Sequence, residues 1–69
     1  MLSYQQRVVD ECHELQIKFD KLGDYIDSDG FDNLIMSDKS LMLEQYASMC
    51  IYLGILYARI RKFKTAPNE

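Results

Sequence analysis

The sequence predicts an all-α protein, an antiparallel two-helix hairpin that assembles into a helical bundle as a homo-oligomer. Three observations carry this expectation. Gln5, Val8, Cys12, Leu15, Phe19, Leu22 and Ile26 recur at alternating steps of three and four. Met42, Tyr46, Met49, Leu53, Leu56, Ile60 and Phe63 do the same in the second half. Between the two runs, Asp27-Ser28-Asp29-Gly30 has the composition of a turn. Spacing of this kind lays one apolar seam along each helix, and two such seams are buried by facing each other.

The first helix is expected over about residues 4–28. Ser3 with Gln6 has the order of a capping box, and Gly23 is a mild weakness near the end. Glu14 and Lys18 are a favourably oriented pair on its surface, and Arg7 with Glu11 a less favourable one. A turn follows over about 29–37, in which Phe31, Leu34 and Ile35 are apolar enough to pack as a short helical turn over the hairpin end. Ser37 is the expected N-cap of the second helix, with Asp38 in its first turn. That helix should run over about 38–64, leaving a frayed tail at 65–69.

The second helix is apolar on more than one face. Beside its seam runs a stripe of Leu43, Ala47, Cys50, Gly54 and Tyr57, and on the other flank lie Leu41, Tyr52 and Ile55. One partner helix covers one face, so further subunits must cover the rest, and the stripe is the expected oligomer interface. Size points the same way. The chain has 69 residues, one domain, and a domain near 60 residues buries only about 60% of its unfolded surface. A disulfide does not add to that. Pairing Ile26 with Met42 sets Cys12 opposite Leu56, six residues or ~9 Å from the level of Cys50. Both cysteines are therefore expected as free thiols in the core of a protein from a reducing compartment.

The formal net charge is −3 and the isoelectric point about 5.0, which speaks against general nucleic-acid binding. The unbroken apolar run Met49–Ala58 spans about ten residues, where a membrane span needs about twenty. The opening residues lack the basic-then-apolar order of a signal peptide. A cytoplasmic protein without membrane contact is expected.

No catalytic, cofactor or metal motif accompanies the seams. His13 and the two cysteines fall short of the three or four converging ligands of a zinc site. Cys12 and His13 are adjacent, so on a helix they point about 100° apart and make a poor nucleophile–base pair. Aligned on Gly30, a calcium loop would need oxygen ligands at Tyr25 and Met36, and neither supplies one in that role. The protein is not expected to be an enzyme.

The remaining candidate is a basic end. Arg59, Arg61, Lys62 and Lys64 crowd the last turns of the second helix, where cations are favoured by the helix dipole alone. Antiparallel packing brings them beside Tyr4, Gln5, Gln6, Arg7 and Glu11, with Tyr52 one level away. Arginines for phosphate, tyrosines for stacking and glutamines for base edges are what a nucleotide-like anion requires. The candidate ligand-binding residues are Tyr4, Gln5, Arg7, Glu11, Tyr52, Arg59, Arg61 and Lys62. Two or more copies meeting in an oligomer would build a composite pocket from them.

Tyr4-Gln5-Gln6-Arg7-Val8-Val9-Asp10-Glu11, then Glu14-Leu15 and Lys18, resembles a family of very small tailed-phage proteins related to a crAss-like phage protein. The likeness continues through Leu22, Ile26, Phe31, Leu34, Gln45, Met49, Tyr52, Leu56, Arg59-Ile60 and Phe63, nearly the whole chain. Many of these are seam positions that any hairpin shares, whereas Gln6, Arg7, Glu11, Gln45, Tyr52 and Arg59 are polar or exposed. The second helix is richer in Met and Tyr than that family's pattern. The resemblance implies a phage accessory protein acting in the host cytoplasm. Such proteins antagonise host defence by sequestering a nucleotide signal or by binding a host protein. A third reading is a non-enzymatic assembly component.

Overall fold

Helix α1 (Ser3–Ile26), a single turn α2 (Asp29–Asp32) and helix α3 (Met36–Thr65) follow one another in a computed structural model that describes residues 2–65. Among the described residues there is no strand. The tail expected at 65–69 lies outside them from residue 66 on. α1 packs along α3, antiparallel, since the ring of Tyr4 meets that of Phe63 edge-on at 5.9 Å while Phe19 stacks on Tyr46 at 4.3 Å.

The seams form the core. Val8, Cys12, Leu53 and Leu56 are buried together, with Leu15, Phe19, Ile60 and Phe63 packed around them. The register pairs Cys12 with Leu56, as the Ile26–Met42 alignment implied. The molecule is a rod, 50 Å long and about 15 Å across. Its radius of gyration is 15.6 Å, against about 11 Å for a compact domain of this length. Among the described residues Leu56 is fully buried, two-thirds of the way along α3.

Both helix starts differ from expectation. Leu2, not Ser3, is the N-cap of α1, and the Oε1 of Gln5 accepts the Leu2 N–H at 3.1 Å. Gln5 lies on the seam and is only 7% exposed, so its amide oxygen needs an internal partner and finds it one turn back. Gln6, the expected capping partner, instead donates to Asp10 Oδ1 at 2.9 Å. α3 begins at Met36, so Ser37 lies inside the first turn. The carbonyl of Ile35 accepts from the amides of Asp38 and Lys39, both at 3.1 Å. The cause is α2. That turn already takes up Asp29–Asp32, capped by Ser28, whose Oγ accepts the Phe31 N–H. Only residues 33–35 remain to reach α3. Phe31 is buried over the hairpin end, with the Lys39 ammonium 5.8 Å from its ring centre.

Glycine at 23 has a packing reason. A Cβ there would come within 3.2 Å of the Tyr46 ring, the ring that stacks on Phe19. Cys12 is buried, but Cys50 is exposed rather than in the core; both are free thiols. α3 remains apolar nearly all round. Over Met36–Phe63 it is by length and composition apolar enough to cross a membrane, its most apolar window averaging a hydropathy of 1.2. Counting only the run from Met49 misses this, because Gln45 and Ser48 interrupt the apolar stretch before it without adding charge. The uncharged stretch from Gln45 to Ala58 nonetheless covers ~21 Å at 1.5 Å per residue, short of a ~30 Å hydrocarbon core.

Candidate functional site

Residues on one helix two positions apart point ~200° apart, and those seven apart share a face. Tyr52 and Arg59 therefore lie on one flank of α3, beside Tyr4, Arg7 and Glu11 on the facing flank of α1. The hydroxyl of Tyr52 donates to Glu11 Oε2 across the helix pair, which fixes the two flanks against each other. The Tyr4–Phe63 contact closes the same end. The five side chains form one exposed edge, with Tyr52 held by its hydroxyl and 42% exposed.

Three of the predicted ligand residues are not on this edge. Gln5 is buried and committed to the Leu2 cap, so it offers no base-reading amide. Arg61 is exposed on the opposite flank of α3, above Tyr57, and Lys62 on its outer back. The crowding of cations along the sequence thus becomes a fan around the helix. No single hairpin gathers them into one pocket.

The opposite edge has its own tie. Tyr57 donates its hydroxyl to Gln16 Oε1 at 2.9 Å, and a shallow hollow of about 170 Å³ is lined there by Val9, Cys12, His13, Tyr57 and Ile60. Desolvation against the helix pair raises the Tyr57 phenol above its ordinary value of 10.0, and the neighbouring Cys12 and Asp20 push the same way. The sequence reading missed Gln16. Its position four residues after Cys12, just off the seam, is the signal that marks it as a cross-helix reach. The interface residues predicted on this side, Leu43, Ala47, Cys50, Gly54 and Tyr57, are all exposed.

Charge is polarised along the rod. At the turn end Asp20, Asp24 and Asp27 line an open groove of about 350 Å³ with Gly23, Ile26 and Tyr46, and Asp29, Asp32 and Asp38 follow. Arg7, Arg59, Arg61 and Lys62 occupy the other end. With a screening length of ~8–10 Å in physiological salt, ends 50 Å apart act independently. An anion meets an attractive end despite the net negative charge. Among the described residues no group of three or more potential metal ligands comes together.

The molecule is a small helical hairpin with an apolar outer helix and a basic, tyrosine-bearing edge. The chain belongs to the Sequestin family, whose model matches residues 2–62. It is 36% identical over 64 residues to an uncharacterized 7.5 kDa protein from the denB–rIIB intergenic region of Enterobacteria phage T4, covering 93% of this chain and 100% of that protein. No solved structure matches. The likeness to small phage proteins seen in the sequence holds at this level; the relative is a T4 protein, and the matches carry nothing specific to crAss-like phages.

Proposed function

We propose that this protein is a host-defence antagonist that binds and sequesters an anionic signalling nucleotide in an oligomeric helical bundle, acting in the host-cell cytoplasm by binding rather than turnover. The observation that carries the reading is the edge on which Tyr4, Arg7, Glu11, Tyr52 and Arg59 lie together at the basic end of the rod. The guanidinium groups would hold phosphate, and the exposed face of Tyr52, steadied by Glu11, would take a base. The family's name, Sequestin, agrees with a sequestering role. The edge is open on one hairpin, so further copies would be needed to enclose a ligand.

Calorimetry against cyclic dinucleotides and ADP-ribose derivatives tests this. Micromolar or tighter binding is expected. Charge-assisted contacts are worth about 1.5–3 kcal/mol each, so Arg59→Ala or Arg7→Ala should weaken it by roughly ten- to a hundredfold while the oligomer persists. Unchanged affinity in both variants would put the ligand elsewhere. A second reading has its own support: Leu41, Ile51 and Ile55 are 64%, 68% and 53% exposed on α3, a surface fit to inhibit a host protein. Absence of heat with every nucleotide, together with a host protein retained on immobilised Sequestin-family protein, would favour it.

A further inference from the structure

We infer that two copies of this chain pair through their α3 helices in antiparallel, two-fold fashion, with Cys50 of each facing Gly54 of the other. This rests on the oligomeric half of the proposed function and specifies one contact, on the flank of α3 away from the Tyr52–Arg59 edge; it requires no nucleotide.

The stripe Leu43, Ala47, Cys50, Gly54, Tyr57 and Arg61 runs at steps of four, three, four, three and four along one exposed face of α3. That is the spacing of a second seam, on a helix whose first seam already faces α1. Reversed upon itself, the stripe is self-complementary. Ala47 falls opposite Tyr57, small against large, at both ends of the contact. Cys50 falls opposite Gly54 at the centre, where a Cβ on Gly54 would meet nothing within 4 Å in the hairpin. Small residues at the centre let the helices approach closely, and the Tyr57 rings, held by Gln16 at 2.9 Å, flank the crossing. A two-fold contact must be complementary to itself in this way.

Charge selects the direction. The N-terminal part of α3 carries Asp38 and Glu44 with Lys39, the C-terminal part Arg59, Arg61 and Lys62, and no charge lies between Glu44 and Arg59. Parallel pairing would set three cations against three. Antiparallel pairing brings Glu44 of one copy beside Arg61 and Lys62 of the other, lays the acidic turn end along the basic end, and opposes the helix dipoles. The same uncharged segment is too short for the hydrocarbon core, which favours a protein partner over lipid.

Mixed-thiol crosslinking tests the register. Wild-type chain, which offers Cys50, is refolded with an equal amount of a Cys50→Ser, Gly54→Cys chain and then mildly oxidised; Cys12 is buried in both. The expected product is a mixed disulfide between Cys50 of one chain and the thiol introduced at position 54 of the other, dominating over either like-with-like dimer. Like-with-like disulfides in each protein alone would mean parallel pairing and overturn the inference. So would an uncrosslinked mixture, whether light scattering gives a mass of 8.1 kDa or a multiple of it. Uptake of monomer by phosphatidylcholine vesicles, with α3 protected from exchange, would overturn it in favour of a membrane. Nucleotide binding by a protein that crosslinks differently would leave the proposed function standing and remove this contact alone.

Discussion

Tyr52 on α3 donates its hydroxyl to the carboxylate of Glu11 on α1, joining residues 41 positions apart. The bond does two things at once. It locks the register of the hairpin on its basic flank, and it orients an exposed aromatic ring two turns along α3 from Arg59. Structure and candidate site therefore share a part, and a double-mutant cycle separates the two uses.

Tyr52→Phe and Glu11→Gln should each destabilise the hairpin by about 1 kcal/mol, with a coupling of about 0.5–1.5 kcal/mol because either change removes the same bond. Urea unfolding of the two single variants and the double measures it. Strictly additive effects would mean that the bond contributes nothing in solution. Tyr52→Phe keeps the ring and should retain most nucleotide affinity, whereas Tyr52→Ala should lose it.

Leu56→Ala should be the most damaging single core change. Leu56 is fully buried among Val8, Cys12 and Leu53, and such truncations cost about 2–5 kcal/mol. In a rod with so few buried side chains, circular dichroism should show a fall in melting temperature of ~10 °C or more, or no folded protein. A shift of a degree or two would mean that the core lies elsewhere, in an assembly contact.

These core residues were legible in the sequence because burial here follows strict spacing. Val8, Cys12, Leu53 and Leu56 sit on the two seams, and the length of the turn alone sets Cys12 against Leu56. The helix starts were not legible. The short helical turn expected around Phe31 begins earlier, at Asp29, and the start of α3 moves forward past Ser37, while a buried Gln5 turns back to Leu2 for want of water. The site was half legible. Antiparallel packing of the two seams sets Tyr4, Arg7, Glu11, Tyr52 and Arg59 along one edge, as their helical spacing implies. Arg61 and Lys62 were drawn in by their nearness along the chain, although consecutive helix positions diverge by about 100°.

Alkaline solution should loosen the hairpin through Tyr57. Its phenol titrates higher in the folded chain than the ordinary 10.0, so the fold binds that proton more tightly than the unfolded chain does. The stabilisation is complete below pH 10 and is lost as pH rises through the folded value. Thermal melts at increasing pH should show wild type losing stability more steeply than Tyr57→Phe, which lacks the titrating group. Parallel loss in both proteins would contradict this.

Gly54→Arg should dissociate the assembly and leave the hairpin intact. Nothing lies within 4 Å of a Cβ at that position, so the monomer accommodates the side chain, but an arginine at the centre of the α3 stripe places two like charges in the contact. Light scattering at micromolar concentration should fall to the 8.1 kDa of one chain with helical circular dichroism unchanged. A mass equal to that of wild type would locate the interface on another face.

Sequestration means that the nucleotide is removed from solution and remains chemically intact, and a depletion-and-release measurement reads both. The protein in molar excess is incubated with a cyclic dinucleotide or ADP-ribose derivative, filtered, then heat-denatured and filtered again. The account predicts that the first filtrate is emptied of the ligand and that the second returns it unchanged, with Arg59→Ala failing to empty the first. A first filtrate that keeps the nucleotide across the whole panel, or a second that returns a cleaved product, would contradict it.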